Sequence, residues 1–233
     1  MGYLPIYVAM DGLPCVVVGG GAIAARKAAQ LLAAGAIVTV ISPRLGPELA
    51  AMAQAAAIVH HARKFAPGDL RGFDFAFAAT DDDGAQREIF SEARVLGVML
   101  NVADAPELCD FIVPAIVRRG DLQIAVSTSG ASPAIAARVR RELEERLGYE
   151  YAITLRLMRA ARAYLFANDP GLDSRAKKLT ALAESNLIER LRDKDRAGVE
   201  RLLTAYLGAG LDALAVDTGD WFQGAPHAVA RGR

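Results

Sequence analysis

The sequence predicts an α/β protein with a doubly wound parallel sheet, followed by a small α+β domain and a helical carboxy-terminal domain. In the first hundred residues, short β-branched runs alternate with alanine-rich stretches, as in strand–helix–strand units. After residue 110 the pattern changes to two short strands and one helix, and from residue 151 only helical periodicity remains. With 233 residues, 53% of them hydrophobic, the chain can bury a substantial core.

The amino-terminal part carries the strand–helix alternation. Its first strand is a continuous apolar run, which indicates burial on both faces. Gly35 is placed to end the first helix as a C-cap residue, and Pro43 closes the second strand. Strands are predicted over residues 13–18, 36–42, 58–61, 73–79 and 98–102, and helices over 22–34, 47–57 and 84–96. This order predicts a parallel sheet with helices on both faces.

The second part reads as a hairpin and one helix. Strands are predicted over residues 111–117 and 122–127, separated by Arg118-Arg119-Gly120-Asp121. Ser132-Pro133 is a good N-cap and first-turn pair for a helix that runs to about residue 146 and ends at Gly148. Because a hairpin plus one helix is too small to be stable alone, we expect it to pair with a second subunit and form a homodimer.

The last part shows helical periodicity over residues 151–216, broken near 168–171. One helix face carries apolar side chains and another an arginine stripe: Ile153, Leu157, Ala161 and Leu165 against Arg156, Arg159 and Arg162. The three patterns predict domains over residues 1–113, 114–149 and 150–223, with a disordered tail over 224–233.

Composition narrows the class of partner. The formal net charge is zero, so no nucleic acid or anionic membrane is expected, and a small molecule is favoured. The longest apolar stretch, residues 31–41, is far below the ~20 residues that span a bilayer. The amino terminus lacks the basic flank of a secretory signal, which favours a cytoplasmic protein. Cys15 and Cys109 are the only cysteines, and neither a disulfide nor a zinc site is expected.

A dinucleotide-binding motif follows the first strand. The run Gly19-Gly20-Gly21-Ala22-Ile23-Ala24 fits G-x-G-x-x-A between a buried strand and a helix. Gly19 permits the tight turn, Gly21 lets the backbone approach a pyrophosphate, and Ala24 allows close helix packing. The amides of Ala22 and Ile23 would then point at the phosphates. The motif predicts a Rossmann domain, against the simpler alternative of a glycine-rich turn without a ligand.

The acidic residue that usually binds the ribose is missing from the end of the second strand. The sequence there is Ser42-Pro43-Arg44. A serine or backbone contact to the ribose is one interpretation. Arg44 could equally accommodate a 2′-phosphate, so both NAD and NADP stay open on the residues alone.

Taken together, these motifs resemble the precorrin-2 dehydrogenase family, which includes the amino-terminal module of siroheme synthase. The resemblance runs in family order from about Leu4 to Leu147, and the helical remainder matches only in general character. The segments that carry it are Leu4-Pro5-Ile6, Val18-Gly19-Gly20-Gly21 with Ala24 and Arg26-Lys27, Ala79-Thr80-Asp81-Asp82, Asn101-Val102-Ala103-Asp104, Cys109-Asp110-Phe111-Ile112-Val113-Pro114-Ala115, and Ser127-Thr128-Ser129-Gly130-Ala131-Ser132-Pro133.

The resemblance implies an NAD-dependent oxidation of precorrin-2 to sirohydrochlorin, on a Rossmann domain followed by dimerisation and helical domains. Some members of the family also insert ferrous iron, a lyase activity, so the chain could be a ferrochelatase as well. The family preference for NAD leads us to expect NAD here in spite of Arg44. Two departures are conservative: Gln86 stands where the family often has asparagine, and Ala103 where it has a second valine.

Asp104 is the candidate catalytic residue. It follows a strand end at the carboxyl edge of the sheet, where ligands of doubly wound folds bind, and it matches the functional aspartate of the family. It would act as a general base or position the ring nitrogens. The alternative is a turn residue before Pro106. Thr80 is expected to line the cofactor cleft, whereas the acidic run of residues 81–83 could equally be a solvated helix start.

Basic and hydroxyl side chains are candidates for the substrate carboxylates, although each could equally be a solvated surface residue or a helix cap. The predicted substrate-binding residues are Arg118, Arg119, Arg138, Ser127, Thr128 and Ser129, with Arg140, Arg141 and the arginine stripe as further candidates. No resident metal is predicted, since the only histidines, His60, His61 and His227, are favoured at the surface or in the tail.

Two other functions remain open from the sequence. One is a different NAD(P)-dependent oxidoreductase on the same fold, because a fold does not fix the substrate. The other is a non-catalytic, NAD-sensing dimeric module that binds the cofactor without turnover. It would leave the segments 101–114 and 127–133 without a role.

Overall fold

The structure is a computed structural model that describes residues 2–208, Val216, Thr218 and 221–223. The chain forms two compact units, Met1–Val113 and Pro114–Arg233. The finer division at residues 149 and 150 stays a prediction. The predicted tail, and the last residues of the predicted helical stretch apart from Val216, lie outside the described residues. Within the described residues, no helix is both long and apolar enough to cross a membrane.

The first unit is a five-stranded parallel sheet. The strands are β1 (Pro14–Val18), β2 (Ile37–Ile41), β3 (Val59–His61), β4 (Phe75–Ala78) and β5 (Met99–Val102), in the order β3-β2-β1-β4-β5. The helices are α1 (Ala22–Leu32), α2 (Pro47–Gln54) and α3 (Asp83–Leu96), with a 3₁₀ turn at Pro106–Leu108. Strands β2 and β3 lie on one side of β1, and β4 and β5 lie on the other, so the order in which strands are added reverses between β1 and β4. This reversal is the topological switch point where such folds bind ligands.

Both faces of the sheet are buried, which confirms the predicted doubly wound class. Along β1 the side chains alternate between two cores: Cys15 and Val17 pack with Ala24 of α1, whereas Val16 packs with Ile89 of α3. This explains why β1 is a continuous apolar run rather than an alternating one.

The second unit begins with an antiparallel hairpin of β6 (Ala115–Arg119) and β7 (Leu122–Val126). Helix α4 (Pro133–Arg146) follows, and the Ser132 hydroxyl accepts a hydrogen bond from the Ile135 amide at 3.2 Å, as the predicted N-cap should. The remaining helices are α5 (Glu150–Asn168), α6 (Leu172–Ala183), α7 (Leu187–Arg192) and α8 (Arg196–Leu207). The predicted apolar face of α5 is buried in their shared core.

Two details of the hairpin differ from the prediction. Strand β6 starts at Ala115 rather than at residue 111, because the Phe111 ring packs edge-on against Phe75 and Phe77 of the sheet. Arg118 and Arg119 are strand residues and not turn residues, since the turn consists of Gly120 and Asp121 alone. Gly120 has a φ of +59°, which a two-residue hairpin turn favours.

The predicted break in the helical part lies at the α5–α6 connection, as expected, but two more breaks follow it. Asp195 caps α8 by accepting a hydrogen bond from the Gly198 amide at 2.8 Å. Lys194 just before it has a φ of +59°, so the helix cannot continue through this point. Helical periodicity alone does not show where a local cap such as Asp195 starts a new helix.

Candidate functional site

A cleft of about 970 Å³ opens at the carboxyl edge of the parallel sheet. Residues that follow four of the strands line it: Gly19–Ile23 after β1, Ser42 and Pro43 after β2, Ala79–Asp82 after β4, and Ala103 and Asp104 after β5. The cleft lies where the strand order reverses, so the sheet topology itself predicts a ligand here.

The three glycines after β1 serve two different purposes. A Cβ atom on Gly19, whose φ is +133°, would collide with the carbonyl oxygen of Ala79. A Cβ atom on Gly20 would collide with the carbonyl oxygen of Arg44. Gly21 has no described atom within 4 Å of its Cβ position. Gly19 and Gly20 therefore let neighbouring backbones close up, while Gly21 leaves room for a ligand. The role of Gly20 is not evident from the G-x-G-x-x-A motif, in which it is a variable position.

The amino terminus of α1 points its first amides at this room. Gly21 is the N-cap residue, it makes no side-chain cap hydrogen bond, and the first turn holds no acidic residue. Ala22 and Ile23 are exposed and line the cleft. Uncapped amides together with the positive end of the helix dipole favour an anion such as a pyrophosphate.

The turn after β2 is built around Ser42. Its hydroxyl donates a hydrogen bond to the carbonyl oxygen of Arg44 at 2.7 Å, and its carbonyl oxygen accepts one from His60 Nε2 at 2.9 Å. Ser42 and Pro43 line the cleft, but Arg44 contributes its backbone to the turn and does not line the cleft. Its contact with the cofactor stays a prediction.

Lys64 and Phe65 line the cleft and were missed by sequence analysis. They follow β3, at the same carboxyl edge as the predicted residues. The available signal was their place just after a predicted strand end. The Lys64 side chain adds a positive charge to this cleft, which lacks the acidic ribose-binding residue that usually follows the second strand.

The acidic residues after β4 both line the cleft and start helix α3, so the two interpretations of this run apply together. Thr80, Asp81 and Asp82 line the cleft. The Asp82 carboxylate also accepts a hydrogen bond from the Ala85 amide at 3.1 Å and so caps α3. The Thr80 hydroxyl accepts one from the Asp82 amide at 3.3 Å. Gln86, another residue without a predicted role, lines the cleft from the first turn of α3.

Asp104 lies in the same cleft as the glycine turn, as the strand-end argument predicted. Its φ is +60°, in the left-handed region. Asp104 does lie in a turn, as the alternative interpretation expected, but within the described part of the chain no hydrogen bond to its carboxylate is found, so the turn is not of the Asx type. The carboxylate is available to a ligand.

The predicted substrate-binding arginines lie in the second unit, where the structure gives them protein partners. Arg119 donates to the carbonyl oxygens of Leu147 and Glu144 at 2.6 and 2.8 Å. Arg138 forms an exposed ion pair with Glu142 at 2.9 Å. Several further candidates contact their surroundings as follows: Arg118 with Gln123, Arg140 with Glu144, Arg156 with Tyr149, Arg159 with Asp121, and Arg162 with the ring of Phe166.

The predicted hydroxyl donors shape the loop before α4. Ser127 Oγ accepts from the Ser129 amide at 3.1 Å, and Thr128 Oγ1 accepts from the Ser132 amide at the same distance. Ser129 has a φ of +52°. Substrate contacts of these residues, like those of the arginines, stay predictions.

Metal-ligating side chains do not gather in the described part of the chain, where no group of three His, Cys, Asp or Glu residues is placed to hold an ion. His60 bonds the Ser42 turn and His61 is exposed at the end of β3. His227 lies outside the described residues.

Comparison with known proteins gives matches along most of the chain. A family of NAD(P)-binding domains matches residues 6–115, and the central domain of sirohaem biosynthesis proteins matches residues 119–146. The siroheme synthase of Chromobacterium violaceum is 34% identical over 210 residues, which are 90% of this chain and 45% of that protein. The siroheme synthase of Methylobacillus flagellatus is 47% identical over 141 residues, 60% of this chain and 30% of that protein.

A solved structure gives the same picture for the fold. SirC, a precorrin-2 dehydrogenase, has a TM-score of 0.75 at 22% identity and covers 88% of this chain and 98% of its own. The chain spans less than half the length of the siroheme synthases above. The matches confirm the predicted NAD(P)-binding domain and the Rossmann-type fold, and they show that the chain is similar to siroheme synthases.

Proposed function

We propose that the chain is a member of the precorrin-2 dehydrogenase family, which includes the amino-terminal module of siroheme synthases, and that it oxidises precorrin-2 to sirohydrochlorin with NAD. The observation that carries the proposal is one cleft with an anion-binding helix terminus on one side and an available carboxylate on the other. Those features belong to Gly21 and Asp104, respectively. A dinucleotide and a proton acceptor are what this oxidation requires.

The residues of the cleft fit the cofactor. Gly19 to Ile23 would hold the pyrophosphate, because a free helix terminus and an open Cβ position accept it without rearrangement. Ser42 and Thr80 would contact the ribose and nicotinamide portions. When bound, NAD supplies the acceptor for a hydride. A cytoplasmic location, where NAD is available, is part of the proposal, and cell fractionation tests it.

Asp104 would take the proton that the oxidation releases. With NAD bound, precorrin-2 would lose a hydride to the cofactor and a proton to the Asp104 carboxylate, and the products would be sirohydrochlorin, NADH and H⁺. A general base placed within reach of such a proton typically contributes 10²–10⁴-fold to the rate. The carboxylate could also orient the ring nitrogens of the macrocycle electrostatically.

Anaerobic incubation with precorrin-2 and NAD tests the function, with the absorbance spectrum of sirohydrochlorin as the readout. Asp104→Asn should lower kcat at least about a hundredfold, while the Kd for NAD stays unchanged. Asp83→Asn is the control, since it removes a nearby carboxylate that does not line the cleft. NAD binding without turnover in the native protein would favour a sensing module instead, and full activity of Asp104→Asn would remove this residue from the mechanism.

A homodimer is the proposed assembly. The hairpin of β6 and β7 has only two strands, and Ile135 on the adjacent α4 is 49% exposed. Such a small sheet is marginally stable by itself, and a second subunit would cover it. Light scattering at micromolar concentration should give twice the chain mass, and a purely monomeric protein would contradict the proposal.

Ferrous iron insertion is a second candidate activity. The same Asp104 carboxylate, available in the cleft, could accept the pyrrole protons that chelation releases. Adding ferrous ion after the oxidation is complete, and following the siroheme spectrum, separates the two steps. An unchanged sirohydrochlorin spectrum would limit the chain to the dehydrogenase step.

A further inference from the structure

The turn that carries Asp104 needs an external constraint. Asp104 has a φ of +60°, which is unfavourable for a residue with a Cβ atom. Such a conformation persists only where surrounding groups hold it. On its amino-terminal side the turn is anchored to the sheet, because the Ala103 amide donates to the carbonyl oxygen of Ala78 at 2.8 Å.

The thiol of Cys109 contacts the backbone on both sides of Asp104. Its sulfur accepts a hydrogen bond from the Val102 amide at 3.1 Å. It also lies 3.2 Å from the carbonyl oxygen of Val102 and 3.4 Å from that of Ala105, and its one proton can bond either oxygen. Val102 is two residues before Asp104 and Ala105 directly follows it, so one side chain fixes both ends of the turn.

The thiol is suited to donate as well as accept. Burial raises the pKa of the Cys109 thiol above its ordinary value. The group therefore keeps its proton at neutral pH and can bond a carbonyl oxygen. A thiolate could not donate this bond.

Cys109 is itself fixed by its neighbours. The Asp110 amide donates to the carbonyl oxygen of Leu100 at 2.8 Å, and the Asp110 carboxylate accepts from the Leu100 amide at 2.9 Å. Arg94 of α3 pairs with the same carboxylate at 2.6 Å. Asn101 donates to the carbonyl oxygen of Phe111 at 2.9 Å. Residues 109–111 thus run back along the end of β5 and hold the sulfur against the turn.

We infer that Cys109 is a positioning residue for Asp104, and that it acts through the hydrogen bonds of its thiol rather than through the space it fills. The inference rests on the proposed function, in which the position of the Asp104 carboxylate decides the rate. The alternative is that Cys109 only fills the core that contains Leu100 and Val102.

Three substitutions separate the two roles. Cys109→Ala should lower kcat about tenfold or more, with the KM for precorrin-2 and the Kd for NAD within twofold of the native values. Cys109→Ser keeps a donor and an acceptor and should recover most of kcat. Cys109→Val fills the space without a hydrogen bond and should not. Activity that follows side-chain volume, with valine best and both serine and alanine low, would overturn the inference.

A double-mutant cycle tests whether Cys109 acts through Asp104. In the Asp104→Asn background, Cys109→Ala should cause little further loss, because the group it positions is already gone. An equal loss in both backgrounds would show that Cys109 acts elsewhere. Cys15→Ala is the matched control, since Cys15 is buried in β1 away from this turn and its loss should affect stability but not kcat.

Hydrogen exchange of the Val102 amide gives a readout that needs no turnover. This amide donates to the sulfur, so Cys109→Ala should speed its exchange at least tenfold, and Cys109→Ser should restore protection. Unchanged exchange would overturn the inference whatever the reaction proves to be. Native protein without precorrin-2 oxidation, or active Asp104→Asn, would instead count against the proposed function.

Discussion

The side-chain amide of Gln86 donates a hydrogen bond of 2.7 Å to the carbonyl oxygen of Thr80. This bond ties the first turn of α3 to the loop after β4, and both residues line the cleft. The glutamine side chain therefore holds the loop after β4 against the start of α3.

Removing the Gln86 hydrogen bond should weaken NAD binding. Because a typical intramolecular hydrogen bond contributes about 1 kcal/mol, Gln86→Ala should raise the Kd for NAD about fivefold, measured by calorimetry. Gln86→Glu has the same size but no donor when ionised, and should weaken binding at least as much. Arg87→Ala, at the exposed neighbouring position, is the control. An unchanged Kd in both Gln86 variants would mean that the loop is held without this bond.

The glycine turn allows stability and binding to be separated. Gly20→Ala forces a Cβ atom onto the Arg44 carbonyl oxygen and should destabilise the fold by about 1–3 kcal/mol, seen as a lower Tm. Gly21→Ala meets no described atom and has an ordinary φ of −88°. It should leave the Tm within about 2 °C while weakening NAD binding tenfold or more, since the methyl group occupies the pyrophosphate space. If the Gly21→Ala variant binds NAD with the native Kd, the phosphates of the cofactor do not bind at this turn.

Much of the first unit could be predicted because its signals are local. Residues 13–34 contain a buried run, a glycine turn and a helix within one short segment, and the structure places them almost as predicted. The place of Asp104 in the cleft could be predicted because the carboxyl end of each parallel strand lies at the edge of the sheet where ligands bind. Neither inference needs to know which distant segments meet.

The residues that were missed depend on contacts between distant segments. Gly20 is required because the chain after β2 returns to within contact of it, and Lys64 reaches the cleft because β3 pairs beside β2. Phe111 was expected in a strand but packs against Phe75 and Phe77 of β4. Periodicity along the chain does not show which distant segments contact one another, so only the folded structure reveals these contacts.

Arg119 should contribute to stability whether or not it binds substrate. Its guanidinium bonds the last carbonyl oxygens of α4, where a cation also complements the helix dipole. Arg119→Ala should lower the free energy of unfolding by about 1.5–3 kcal/mol in urea titrations. Arg118→Ala, at an exposed position of the same strand, should change it by less than about 0.5 kcal/mol. Equal stability of the two variants would contradict the capping role, and a raised KM would add a substrate role.

Acid should weaken the α5–α6 connection through Asp169. Its carboxylate accepts hydrogen bonds from Ser174 Oγ at 2.7 Å, Lys178 Nζ at 2.9 Å and the Gly171 amide at 3.0 Å, which together lower its pKa to about 2. In the unfolded chain an aspartate has a pKa of about 3.9. The stabilisation is therefore complete above about pH 5 and is lost as the pH falls towards 2, because the unfolded state takes up the proton first.

Urea unfolding of the native protein and of Asp169→Asn, at pH values from 5.5 down to 2.5, measures this dependence. The native protein should be the more stable of the two at pH 5.5, and the difference in free energy of unfolding should shrink steadily below pH 4. At low pH the Asp169 carboxyl group is protonated and therefore uncharged, as the asparagine of the variant is at every pH. Asp173→Asn controls for the loss of a neighbouring exposed carboxylate. A difference that stays constant down to pH 2.5 would mean that the three hydrogen bonds do not favour the charged form, and that the connection is held by the backbone alone.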